Sequence, residues 1–280
     1  MLITGNDYMN YSVLMSVYGK DNPVWLKDSI DSILKQTIPT DDFVIVCDGS
    51  LTVSLDKVLA DYAKTHPCIH IFRLKNNEGL GRALAFGVKQ CKNELVARMD
   101  SDDISIPERC EKQLNVFAEN AVALVGGQII EFYEDPDEPI ALRDVPNKMD
   151  EIIAFSKMRN PFNHVSVMFK KEAVLQVGNY QDMPYREDYF LWIRMIEQGY
   201  QMINVSEPLV YVRTGEEMYK RRSGSSMRKS CIAMTRYMKK SGYISSLDFF
   251  KILSIWLIGA SIPWRIRKKL YENKFRKSVE

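Results

Sequence analysis

Three carboxylates fall within four positions of the stretch ARMDSDDIS, at Asp100, Asp102 and Asp103. Charges of one sign this close together repel unless a cation or a polar ligand sits among them. Two carboxylates separated by one residue on a strand end can reach a single hard divalent cation, with phosphate oxygens and water completing an oxygen shell. The same four residues, taken alone, also fit a solvated Asp-rich turn. A second acidic pair, Glu187 and Asp188 in YREDYFLW, stands at the start of an apolar helix. There Asp188 can serve as a general base, or simply complement the positive helix end.

Other residues with chemical capacity are more scattered. His164 in NPFNHVSVMF either is a satisfied structural histidine or reaches a substrate pocket. Arg213 and the pair Arg221 and Arg222 can neutralise a diphosphate leaving group, or line a solvated basic loop. No Ser/His/Asp or Cys/His arrangement offers a covalent nucleophile. The stretch NNEGLGRALAFG places glycines at a strand-to-helix junction, but Leu84 stands where a dinucleotide fingerprint needs its third Gly, and no GxxxxGK[ST] occurs. A Rossmann dehydrogenase and a P-loop NTPase are thereby excluded.

The elements that must position these residues alternate through the first hundred positions. Strand patterns at 11–18, 43–47, 69–74 and 94–100 are separated by helical patterns at 23–36, near 54–65 and at 79–91. Asn22 and Pro23 supply an N-cap and a first helical residue. This rhythm predicts an α/β fold with a mostly parallel central sheet flanked by helices. In such sheets ligands bind beyond the carboxyl ends of the strands, which here carry Ser16-Val17-Tyr18, Asp48-Gly49-Ser50, Lys75-Asn76-Asn77 and Asp100-Ser101-Asp102. Further on we expect a helix over 108–118, apolar strands in VALVG and QIIEFY, an exposed loop over 134–147, a strand over 164–170, and a helix from Glu187 to Gly199.

Composition sets the remaining bounds. With 280 residues, 46% of them apolar, the chain can bury a sizeable core. Its five cysteines include no CxxC pair, and MLITGNDYMN lacks a basic stretch followed by an apolar run, so a reduced, cytoplasmic protein without structural zinc is expected. The net charge of +2 hides an asymmetry: residues 220–280 hold 16 Lys and Arg against 3 Asp and Glu, an excess of +13 that leaves −11 for the rest. An acidic body with a basic tail predicts an anionic partner for the tail. Nucleic acid fits poorly, since no known module interleaves the basic residues and the body would repel a phosphate backbone.

The order SVLMSVYGKDNPVWLKDSIDSILKQT, VCDGS, NNEGLGRALAFG, ARMDSDD, NPFNHVSVMF, YREDYFLW resembles the family 2 glycosyltransferases of GT-A fold, over about residues 11–222. The likeness is greatest to bacterial enzymes that build capsule, exopolysaccharide or O-antigen repeat units. It implies a GT-A domain over 1–222, with a nucleotide-binding half (1–103) and an acceptor half (104–222), followed by a helical, basic extension over 223–280. By resemblance, Ser16, Val17 and Tyr18 hold the base of a nucleotide-sugar, with Asp48 on its ring nitrogen, which favours UDP. Asn76, Glu78, Gly79, Arg82 and Ser101 lie beside the nucleotide. Asp100 meets the ribose or the metal through water, Asp102 ligates Mn2+ or Mg2+, and Asp188 is the base of an inverting displacement. His164, Glu187, Arg213, Arg221 and Arg222 are further candidates for sugar, acceptor or diphosphate contacts.

One departure concerns the cation. Many members of that family carry a downstream His in the metal shell, whereas this chain has only His66, His70 and His164, and the corresponding region reads VYVRTGEEMYKRRSG. Alternative readings are a sugar nucleotidyltransferase, for which SVYGKDNP is a poor phosphate loop, and a non-catalytic relative, against which Asp102 and Asp188 argue. The apolar run from Ile252 to Trp264 is too short to span a bilayer, and RIRKKLYENKFRK follows it. This combination fits an interfacial anchor on anionic lipid at the inner face of the cell membrane, as does the lipid-linked acceptor that the resemblance implies. A helix packed on the body is the other reading of that segment.

Overall fold

The computed structural model describes residues 9–215 and 225–261. Its first part runs β1 (Tyr11–Tyr18), α1 (Pro23–Leu34), β2 (Asp42–Asp48), α2 (Val53–Thr65), β3 (Ile69–Arg73), α3 (Leu80–Gln90) and β4 (Leu95–Met99). The four strands pair in parallel in the order β3-β2-β1-β4. Alternation along each strand decides which helix packs where. Val13, Met15, Phe43 and Ile45 lie with Leu26, Ile30 and Ile33 of α1 and Leu55 and Leu59 of α2. Leu14, Val44 and Val46 lie with Ala83, Leu84 and Val88 of α3 on the opposite face. The approach of α3 is close: a Cβ at Gly87 would stand 2.3 Å from Leu14 Cδ1 and 2.9 Å from Val46 Cγ2. Asn22 caps α1, accepting the Val24 N–H at 2.8 Å, with Pro23 at the first turn as expected.

The second part comprises β5 (Ile104–Ser105), α4 (Arg109–Glu119), β6 (Leu124–Phe132), β7 (Pro139–Arg143), α5 (Met149–Ser156), β8 (Met168–Lys170), α6 (Lys171–Gln176), α7 (Glu187–Glu197) and β9 (Met202–Arg213). Helices α8 (Ser225–Lys240) and α9 (Ser246–Ser261) follow. Among the described residues the sheet continues β4-β8-β6-β9-β5, with β7 on β6. Here pairing is mixed: β8 is antiparallel to β4 and β6, whereas β6 and β9 are parallel. The parallel sheet expected from the early rhythm therefore describes β1–β4, and an antiparallel strand joins it to the rest.

Several local expectations are corrected. VALVG and QIIEFY form one strand, β6, whose register with β9 shifts on either side of Gln128. The Gln128 amide fills that irregularity, donating to Val145 O, Asn147 Oδ1 and Val205 O. The stretch over 134–147 is not all loop, because Pro139–Arg143 pairs with β6 despite its prolines and acids. Only Met168–Lys170 of the stretch 164–170 is strand, since His164–Ser166 forms a 3-10 turn. Met234, Met238, Ile244 and Ile252 of the C-terminal segment share a core cluster with Tyr189, Phe190 and Ile193 of α7. All five cysteines are free thiols. Among the described residues no helix is long and apolar enough to cross a membrane.

Candidate active site

Strands β1, β2 and β4 end along one edge, since Tyr18 pairs with Asp48 and Met15 with Met99. The loops beyond these ends are tied to one another by short polar side chains. Asp21 accepts the Tyr18 N–H at 3.0 Å and the Ser101 hydroxyl at 2.7 Å, joining the turn after β1 to the DSDD turn. Ser29 of α1 donates to Asp100 O at 2.6 Å. Asp48 is buried, and its two oxygens accept the N–H groups of Glu78 (2.7 Å) and Gly79 (3.0 Å). The fit is tight enough to require glycine at 49, where φ is +83° and a Cβ would stand 2.6 Å from Asn77 N. Asp48 thus fixes the NNEG loop, while each of its oxygens keeps one lone pair for another donor.

Asp100, Asp102 and Asp103 offer carboxylate oxygens that all lie within 4.8 Å of one another. Asp103 is the buried member; burial, then Asp102 and Asp100, push its carboxyl well above the usual range, while the Arg213 N–H donates to its Oδ1 at 2.8 Å. Asp100 is held by Arg98, whose two terminal nitrogens grip its two oxygens. Arg98 is itself buried; burial works against its charge, but Asp100 holds the guanidinium protonated. Behind it, buried Arg109 donates to Arg98 O at 2.6 Å and to Val167 O at 3.2 Å. Three oxygen donors at a strand end suit a hard cation. With Asp100 and Asp103 engaged elsewhere, the shell needs phosphate oxygens and water, so the residues fit a cation shared with a bound diphosphate.

Arg213 reaches this turn, but not as an open phosphate ligand. Its side chain donates to Asp102 O at 3.3 Å and Glu134 O at 3.1 Å, lies 3.7 Å from Asp28 Oδ2, and has the rings of Trp25 and Phe132 at 4.8 and 4.6 Å. It clamps the DSDD turn to α1 and the end of β6. Arg221 and Arg222 lie outside the described residues, as does the cluster that follows Pro263. Asn76 and Glu78 are exposed on the loop after β3. Arg82 is also exposed, and pairs with Asp182 at 3.2 Å, linking α3 to the segment that enters α7.

At the start of α7, Asn160 Nδ2 donates to Asp188 Oδ2 at 2.6 Å. That bond orients the half-buried Asp188 carboxylate, as a general base requires. Its neighbour Glu187 is buried against α3, where a Cβ at Gly81 would stand 3.2 Å from Glu187 Cβ. Burial and then Asp188 push the Glu187 carboxyl up to about 7. His164 and the Tyr180 hydroxyl share a hydrogen bond of 2.9 Å, and the His164 ring packs on Tyr180 and Trp192. Burial, then Arg98, depress His164 well below its ordinary value, so it is neutral near pH 7. Of its two readings, the packed structural one has the visible partners. Tyr180 stands between the acidic sites: after burial, Asp188, Glu187 and Asp100 act on its hydroxyl, against the pull of Arg98.

Arg98, Arg109, Asp21, Asn160 and Tyr180 were not among the residues expected from the sequence. Arg98 was the findable one, because in a strand positions 98 and 100 share a face.

This mixed α/β fold, with an acidic turn at a strand end, is that of the GT-A glycosyltransferases. The model of the glycosyl transferase family 2 matches residues 12–179, and the chain belongs to that family. It is 37% identical to the amylovoran biosynthesis glycosyltransferase AmsE of Erwinia amylovora, over 94% of this chain and 98% of that one. It is 34% identical to the UDP-Gal:alpha-D-GlcNAc-diphosphoundecaprenol beta-1,3-galactosyltransferase of Escherichia coli, over 97% and 98% of the two chains. A mannosyltransferase from Pyrobaculum calidifontis, in complex with GDP-Man and Mn2+, shares the fold with a TM-score of 0.66 at 16% identity, covering 96% of this chain and 75% of that one.

Proposed function

We propose that the protein transfers a sugar, with inversion, from a UDP-sugar to a hydroxyl of a polyprenyl-diphosphate-linked glycan in bacterial surface polysaccharide synthesis. The observation that carries this is the acidic turn at the end of β4, three carboxylates within 4.8 Å, next to a helix start where Asn160 orients Asp188. The E. coli relative, similar along nearly its whole length, takes UDP-Gal and a diphosphoundecaprenol acceptor, which supports both substrate classes.

In this reading the loops after β1, β2 and β3 receive the nucleotide. Ser16, Val17 and Tyr18 border the base, Asp48 offers its remaining lone pairs there, and Asn76, Glu78, Gly79 and Arg82 line the nucleotide beside Ser101. Asp102 would hold Mn2+ or Mg2+, and Asp100 would meet the ribose or the water around the cation. The cation, when bound, offsets charge on the departing diphosphate. Asp188 takes the proton of the acceptor hydroxyl through the oxygen that Asn160 leaves available. The acceptor oxygen then bonds to the anomeric carbon from the face opposite the leaving group, the bond to the nucleoside diphosphate breaks, and the configuration inverts. No protein nucleophile is required. Arg221 and Arg222, which follow β9 in the sequence, would offset diphosphate charge where many members of the family carry a downstream His.

The chain acts at the inner membrane surface. Leu247, Phe250 and Ile255 of α9 are exposed at 84%, 66% and 50%, and the basic sequence over 265–277 follows them.

A donor screen measuring nucleotide release, with lipid-linked acceptors and with Mn2+ or EDTA, tests the reading. Release from a UDP-sugar that requires Mn2+ and is lost in Asp102→Asn and Asp188→Asn is the expected result. Wild type that releases no nucleotide from any UDP-, GDP- or dTDP-sugar overturns it.

A further inference from the structure

We propose that Arg98 is a positioning residue: it takes both oxygens of Asp100, acts as the resident counter-ion of the DSDD turn, and withholds Asp100 from direct ligation of the cation. The inference rests on the reading of that turn as a cation site, and it supplies a physical cause for the different roles that reading gives Asp100 and Asp102.

The pairing is fork to fork. The Nη1 and Nη2 of Arg98 reach Oδ2 and Oδ1 of Asp100, the geometry in which a guanidinium neutralises a carboxylate best. Arg98 is 2% exposed, so its side of the pair is scarcely screened by water. The backbone on either side is also fixed. Arg98 N donates to Val167 O at 2.9 Å, Arg98 O accepts from Arg109, and Asp100 O accepts from Ser29. Arg109 is fully buried and further held by Gln113 Oε1 at 3.2 Å. Arg98 near the end of β4 and Asp100 just beyond it therefore meet with little freedom to part.

Swinging Asp100 onto a cation would leave a buried guanidinium unpaired, which is strongly unfavourable. The Nε of Arg98 is buried with no hydrogen-bond partner, so the arrangement satisfies Asp100 at the expense of Arg98. Each Asp100 oxygen keeps a lone pair for a ribose hydroxyl or for water on the metal, while its charge is already balanced. A hard cation prefers a carboxylate whose charge is not spent.

The test is Mn2+ binding by the full-length protein with UDP present, followed by calorimetry and by the EPR signal of free Mn2+, with no turnover involved. Asp100→Asn is expected to change the Mn2+ Kd by less than about threefold, and Asp102→Asn to weaken it by about tenfold or more. Arg98→Gln releases Asp100 into the shell and is expected to tighten Mn2+ by about tenfold, a gain that adding Asp100→Asn removes. Asp100→Asn and Asp102→Asn weakening Mn2+ equally would overturn the proposal, as would Arg98→Gln weakening it with no reversal in the double variant. If Arg98→Gln does not fold, Arg98→Lys, which keeps the charge but cannot take both Asp100 oxygens, is read in its place: tighter Mn2+ that Asp100→Asn reverses supports the proposal, and unchanged or weaker binding overturns it. Wild type that binds no Mn2+ with UDP overturns the cation reading itself along with this proposal, an outcome distinct from tight binding with equal aspartate effects.

Discussion

Replacing Glu187 by Gln is expected to stabilise the protein in alkali and to leave it unchanged in acid. Glu187 is 9% exposed, and its Oε2 has no hydrogen-bond partner. Burial and then the neighbouring Asp188 raise its carboxyl from 4.5 to about 7. A carboxyl that binds its proton more tightly in the folded than in the unfolded state favours folding below the unfolded pKa, and that contribution is lost as pH rises through the folded one. The window is therefore pH 4.5 to 7. A displacement from 4.5 to about 7 corresponds to about 3 kcal/mol at pH 8. Less than about 1 kcal/mol remains at pH 5, and almost nothing at pH 4. Glutamine keeps the shape and cannot ionise, so Glu187→Gln should be about 3 kcal/mol more stable than wild type at pH 8. The two proteins should converge at pH 4. Urea unfolding at fixed ionic strength, with equal m-values as the check on two-state behaviour, measures the difference. A difference that is the same at pH 8, 6 and 4 would refute the argument, because it would reflect amide packing rather than a buried charge.

Asp188→Asn should lower kcat by about 10²- to 10⁴-fold and leave donor KM nearly unchanged, measured by nucleotide release at saturating acceptor. Gly87→Ala drives a methyl into Leu14 and Val46 and should cost about 1–3 kcal/mol in chemical unfolding, with no specific effect on donor affinity. EDTA should stop turnover yet shift Tm by less than about 2 °C, because Arg98 already balances Asp100 without a metal. Phe250→Glu, exposed on α9, should release the protein from vesicles containing anionic lipid in a flotation assay and leave its far-UV spectrum intact.

Much of this molecule is legible in its sequence where one physical signal dominates. The short, largely apolar runs and amphipathic helices of the first hundred residues give β1–β4 and α1–α3 nearly to their ends. Legibility falls where long-range pairing outweighs local pattern. β7 carries Pro139 in a stretch rich in prolines and acids, and pairs because β6 offers it an edge. β9 is irregular, with Glu207 and Pro208 in mid-strand, and exists because β6 runs alongside it. The acidic residues announced the site, but the cations that make it tenable did not. Arg98 looks like an interruption of an apolar strand, and its meaning appears only once Asp100 shares its face. Arg213 fitted either a diphosphate contact or a solvated basic loop, and only the structure shows its packing between the rings of Trp25 and Phe132.

The bond from Arg213 to Asp103 is made by a backbone N–H, at the end of a strand that starts at Met202. A main-chain donor is present for any residue but proline at that position, so the hold on the acidic turn survives most mutations of the residue that provides it. It does not survive removal of the strand. A chimera that takes residues 1–103 from one enzyme and the remainder from another would therefore import part of the hold on its acidic turn with the second segment, and is expected to fold but turn over slowly unless β9 is re-seated on that turn.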